Sequence, residues 1–121
     1  MIEGEGIKPG WNPAVMHAVA GELATSGQKA GNDSDLLGEA GRLYEEVFRR
    51  LPFGQFDARN DAAIRSISAF KLAGHYEEIL RFGPAALEGL GESAMPGTRR
   101  KLEEMIDEAA IGLSEIYSTS S

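Results

Sequence analysis

Two histidines, three adjacent glutamate pairs and one run of three cations are the side chains of this sequence with an evident capacity for chemistry. His75-x-x-Glu78 would put a ring nitrogen and a carboxylate on one helical face. A metal site in a helical bundle also needs several more carboxylates and a second histidine. His17 is the only other histidine and stands on a different segment, so no metal site is expected and His75 reads as a solvent-facing turn residue. Glu45-Glu46, Glu77-Glu78 and Glu103-Glu104 would work as acid/base dyads only if their carboxylates converged. Neighbours on a helix diverge by about 100°, so these pairs read as solvated faces.

Phosphate and nucleophile chemistry find less support. Gly4-Glu5-Gly6 has no strand before it, no third glycine and no Gly-Lys-Ser/Thr after it. No serine sits in a Gly-x-Ser-x-Gly elbow, and two histidines make no obvious triad. No cofactor is expected. Arg99, Arg100 and Lys101 do break a local rule, because they occupy the first turn of the last helix, where the helix dipole favours acids. Pairing with Glu103 and Glu104 four residues on is the expected reason. The alternative is that Arg99 and Arg100 dock an acidic partner.

The elements that must carry these residues are helical. At 121 residues the chain suffices for one domain, residues 1–121, with a core that needs no staples. It has no cysteine, hence neither disulfides nor thiolate metal sites, and cytosol is the expected compartment. A net charge of −7 opposes binding to nucleic acid or anionic lipid. No apolar run reaches the roughly 18 residues of a membrane span, and the start of the chain lacks the pattern of an export signal.

Residues 1–10, with Gly4, Gly6, Pro9 and Gly10, read as an extended lead-in, and Trp11 is expected to pack over the first hairpin. Asn12-Pro13 starts a first helix to about Thr25, with Val15, Met16, Val19 and Leu23 on one face. Residues 26–33 read as a loop. From Ser34 or Asp33 the second helix shows the clearest periodicity, through Leu36, Leu37, Ala40, Leu43, Tyr44, Val47, Phe48 and Leu51. A third helix is expected over about Ala58 to Ala73, stopped by Gly74. A fourth starts at Tyr76 and folds back antiparallel, with a kink or restart at Gly83-Pro84. Thr98 is expected to cap a fifth helix whose last residues, 118–121, fray. Gly38, Gly41 and Gly112 cost helix propensity and are expected to be kept for close helix approach. The fold class is all-α, with no strands.

Ala40, Tyr44, Val47 and Pro52 keep a small-x3-aromatic-x2-small-x4-Pro spacing, Phe70 is an aromatic late in the next helix, Gly74-His75-Tyr76-Glu77-Glu78 matches a Gly-x-Tyr-x-x turn, and Ala86 is again small. This resembles the tetratricopeptide-repeat family. The resemblance spans Asp35 to Leu90 and departs from the family at Ile67, Ile79 and Gly83. It implies two antiparallel helical hairpins plus a C-terminal capping helix, with another helical bundle as the alternative. It also implies a concave face for a protein or peptide partner. Asp61, Ile64, Ser68 and Lys71 would point there, with Arg65 beside them and His17 added from the first helix.

The function expected is therefore a non-enzymatic interaction module. Two alternatives remain open: a self-associating structural or regulatory subunit, and a small helical enzyme or cofactor-binding protein using dispersed groups such as His17, Arg65 and Glu46.

Overall fold

The structure, a computed structural model, describes residues 12–120 and their side chains as far as Ser118. The lead-in of residues 1–10 and the packing of Trp11 lie outside the described residues. Five helices follow one another: α1 (Pro13–Lys29), α2 (Ser34–Arg50), α3 (Phe56–Ala73), α4 (Tyr76–Leu90) and α5 (Pro96–Ser120), with one 3-10 turn, Gly91–Ser93, between the last two. There is no strand among the described residues, and the fold is all-α.

Local chemistry explains most of the boundaries. The Asn12 side chain accepts from the Val15 amide at 3.0 Å while Pro13 fills a position that needs no donor. Asp33 does the same for α2 through the Leu36 amide. Gly74 closes α3 in the left-handed region, φ 76°, and the His75 amide then reaches back to the Phe70 carbonyl.

Cross-contacts give the topology. His17 meets Asp61, Ser68 meets Met105 and Lys71 meets Glu108, so the numbers rise together and α1, α3 and α5 run parallel. Glu45 meets Arg81 and Phe48 meets Phe82, which sets α2 and α4 side by side in the opposite direction. Three helices thus form one layer and two the other. Phe48, Ile67, Phe70, Phe82, Leu102 and Met105 lie in the core between them.

Glycines admit the largest of these side chains. A Cβ on Gly41 would lie 2.6 Å from Cε1 of Phe70, and one on Gly83 would lie 2.6 Å from Cγ1 of Ile106. Gly38 and Gly112 leave the same room for His75 and Tyr76. Close approach is therefore a finding at Gly38, Gly41 and Gly112.

Several expectations are corrected. α1 runs on to Lys29 because Gly27 is no breaker: it is buried, and a Cβ there would sit 2.8 Å from Cγ of Leu37. The turn is made instead by Gly31 and Asn32, both at positive φ. On α1 the buried residues are Met16, Ala20 and Gly27, while Val15 is exposed. α3 starts at Phe56, two residues early. α4 is unbroken across Gly83-Pro84, since Gly83 seats Ile106 and Pro84 faces outward, exposed. α5 starts at Pro96, which puts Thr98 inside its first turn, and stays helical to Ser120, past the fraying expected from Ser118.

His75 is no solvent-facing residue. It is half-buried, with its ring in the notch at Gly38 and Nε2 2.8 Å from the Ser34 hydroxyl. Among the glutamate pairs Glu45 is buried, 7% exposed, because its carboxylate is claimed by two arginines.

Candidate functional site

α3 is the middle helix of the three-helix layer, and its outer stripe carries Asp61, Ile64, Arg65, Ser68, Lys71 and Leu72 at successive three- and four-residue steps. α1 flanks the stripe on one side and α5 on the other. Of the residues singled out from the sequence, Asp61, Ile64, Arg65, Ser68 and Lys71 fall on this stripe, while His17 stands on α1 and Arg99 and Arg100 on α5.

On the α1 side, Asp61 is shared. Its Oδ2 lies 3.3 Å from Nε2 of His17 and 2.8 Å from Nε of Arg65. The His17 ring also meets Tyr44 edge-on, with centroids 5.2 Å apart. The Asp61 hydrogen bond holds the Arg65 guanidinium above its ordinary pKa against the opposing desolvation, and Tyr44 adds to it. Arg65 is thereby fixed in orientation as well as charge.

Beside it opens a hollow of about 130 Å³. Leu37, Tyr44, Ala24 and Ala69 form its apolar walls, Arg65, Ser68 and Gln28 its polar members, and Leu72, 39% exposed, stands at the side. Metabolite pockets run to roughly 300 Å³ and above, so this hollow is small for such a ligand and of the size of a single side chain.

On the α5 side the stripe is less open than expected. Lys71 is paired with Glu108 at 3.0 Å, and the Ser68 hydroxyl points toward Met105 Sδ at 3.9 Å. Ile64 is half-buried and packs against the core. The structure thus joins His17, Asp61, Arg65 and Ser68 into one surface and sets Lys71 at its edge.

Arg99 and Arg100 lie elsewhere, at the start of α5. The expected pairing with Glu103 and Glu104 is not made. Arg99 donates to the Gly91 carbonyl at 2.8 Å, and no ion pair joins Arg100 to another described residue. Of the dispersed groups His17, Arg65 and Glu46, the first two meet at Asp61, while Glu46 is engaged by Arg50 on α2 itself. Among the described residues no three His, Asp or Glu side chains are grouped to hold a metal.

Tyr44, Leu72 and Gln28 were not singled out from the sequence as site residues. Leu72 carried a signal, being an apolar residue one helical turn beyond Ser68 on the stripe. Tyr44 was assigned to packing alone, yet it lines the hollow. Comparison of the chain with protein-family models, with curated proteins and with solved structures finds no match in any of the three.

Proposed function

We propose that this protein is a non-enzymatic interaction module of tetratricopeptide-like helical hairpins that binds an extended peptide segment of a partner protein along the outer stripe of α3. The observation that carries the reading is the hollow between α1 and α3. It combines an apolar interior, a pre-oriented arginine and an exposed leucine at its edge, at a size fit for one side chain. A partner side chain would fill the hollow, while Arg65, held by Asp61, would meet a carboxylate or carbonyl of the partner. Alternating parallel and antiparallel packing, with α1, α3 and α5 in one layer, supports the hairpin reading because it is the arrangement such arrays use.

Panning a displayed peptide library against the wild-type protein and measuring the selected peptides by fluorescence anisotropy tests this. Binding should fall at least tenfold in Arg65→Glu and in Leu72→Arg, both exposed positions that can change without unfolding the chain. Peptides that bind both variants as well as the wild type would remove the reading, as would a library that yields no binder.

A further inference from the structure

The end of the molecule where α3 begins carries exposed apolar side chains on a rigid base. Arg59 reaches the Gly89 carbonyl at 3.3 Å. Asn60 donates to the Phe56 carbonyl at 2.8 Å and to the Ser93 carbonyl at 3.1 Å, and accepts from the Met95 amide at 2.9 Å. These bonds tie the start of α3 to the α4–α5 connection and hold Phe56 and Met95 at the surface, 52% and 39% exposed. Phe53, in the α2–α3 loop, is 72% exposed, and its ring lies 4.6 Å from the Arg59 guanidinium. Rings held in advance lose little freedom when something covers them. Asp57, Glu88 and Glu92 fall at this end together with Arg99, Arg100 and Lys101, so charge selects no occupant.

Position does select one, through two registers. α1 and α3 run parallel: His17 meets Asp61, 44 residues on, and the hollow between the two helices keeps that offset, with Ala24 and Gln28 facing Ser68 and Leu72. Carried back to the helix starts, it sets Pro13 level with Asp57 and Trp11 level with Gln55. α1 and α2 run antiparallel, since Gly27 faces Leu37 and Gly21 faces Tyr44. The start of α1 therefore lies at the end of α2, beside the loop that carries Phe53. Adjacent helices stand on the order of 10 Å apart, within reach of one large side chain. The entry also points inward: a residue before the cap packs on the fourth helical position, and that position is Met16, a core residue.

The sequence before Asn12 suits this surface. It brings two large apolar groups, Ile7 and Trp11, separated by a Pro9-Gly10 pair that favours extended chain over helix. Four extended residues cover about 13–14 Å, enough to pass Phe53 and reach the Phe56 and Met95 side of the end.

We infer that the segment before α1 folds back over the end of its own bundle, with Trp11 against Phe53 and Phe56 and with Ile7 toward Met95. The occupant is named by its attachment: a segment joined to the helix beside the surface meets it at an effective concentration that a free partner or a second copy does not match. The contact lies at the opposite end of α1 from the hollow beside Leu72 and does not depend on the peptide reading of it.

Trp11 is the sole tryptophan, so its fluorescence reports the contact directly. In the whole wild-type chain the emission should be blue-shifted, and quenching by acrylamide several-fold weaker than for N-acetyltryptophanamide, at every protein concentration. Phe56→Asp, an acid that a helix start accepts, should raise the quenching about twofold with helical circular dichroism unchanged. Ile7→Ser should raise it too, while Ile111→Ser, at another exposed apolar position, should leave it as in wild type. Should Phe56→Asp loosen α3, Phe53→Ala in the loop makes the same test. A wild-type tryptophan as open as the free amide overturns the inference. So does one that stays protected in both phenylalanine variants, which would place Trp11 elsewhere on the first hairpin, or one whose protection grows with protein concentration, which would make the cover a second copy.

Discussion

Glu45 and Arg59 are both charged side chains enclosed by apolar neighbours, and the fold satisfies them by opposite means. Glu45, 7% exposed, is met by two arginines. Arg81 from α4 grips both carboxylate oxygens, at 2.9 and 2.6 Å, and Arg49 one turn along α2 adds a bond of 2.6 Å. Arg81 is in turn held by Glu78. Arg59, 5% exposed, meets no carboxylate among the described residues: it lies against two phenyl rings and gives one long bond to a carbonyl, while its Nε is buried with no partner among them. Burial accordingly lowers its pKa. At Glu45 burial alone would raise the carboxyl, yet the hydrogen bonds and charges of Arg81 and Arg49 outweigh it and hold it below its ordinary value. The first site needs opposite charge, and the second needs a flat spacer between rings.

The largest effect is expected at the spacer. Arg59→Ala should cost about 3 kcal/mol in urea unfolding, because it empties the space between Phe48 and Phe53. Arg59→Met keeps the volume and removes the unpartnered nitrogen, so it should return to within about 1 kcal/mol of wild type. A methionine variant as unstable as the alanine one would show that the charge itself matters there. At the paired site the order reverses. Arg81→Met should cost about 1–2 kcal/mol, less than for a fully buried pair because Arg81 is 48% exposed and Arg49 stays with the carboxylate.

Acid should separate the two sites further. A carboxyl whose pKa is lowered by folding adds stability above its ordinary pKa, and that stability is lost as the pH falls through the folded value. The gap between wild type and Arg81→Met should therefore close on acidification below the usual carboxylate range, while the gap for Arg59→Ala stays constant. Unfolding midpoints across that range would show a parallel offset in both cases if Glu45 were not the group involved. The smallest effect is expected for Phe53→Ala. It lifts only the outer ring from Arg59 and should cost about 0.5–1 kcal/mol, measured by the same unfolding curves.

This contrast also marks what the sequence reveals. The periodicity of α2 and the caps at Asn12, Asp33 and Gly74 are local signals, and the structure bears each of them out. Gly27 and Pro84 misled for the same reason: a glycine or proline reads as a breaker until the neighbouring helix is known, and Leu37 and Ile106 are the neighbours that explain Gly27 and Gly83. Glu45 fell into a surface pair on the rule that adjacent acids point to water. Its place on the row Gly38, Gly41, Glu45, Phe48 was a sign that it faces inward, but Arg81 stands 36 residues away and no spacing rule reaches it. The resemblance set His17, Asp61, Arg65 and Ser68 on one face, and the structure places them side by side. The engagement of Lys71 by Glu108 depends on α5 lying alongside α3, a tertiary fact outside that pattern.

The glycine notches bear on how the chain comes apart. α2 carries two glycines inside its length, each costing about 1 kcal/mol of helix propensity, and those same positions receive the rings of His75 and Phe70 from later in the chain. The helix with the clearest pattern is thus weakened when alone and completed only by its neighbours. Hairpins that could each stand independently would peel off one at a time. Here loss of α3 or α4 removes what makes α2 worth forming, so the most protected amides of α2, α3 and α4 should open together in hydrogen exchange, as a single cooperative unit.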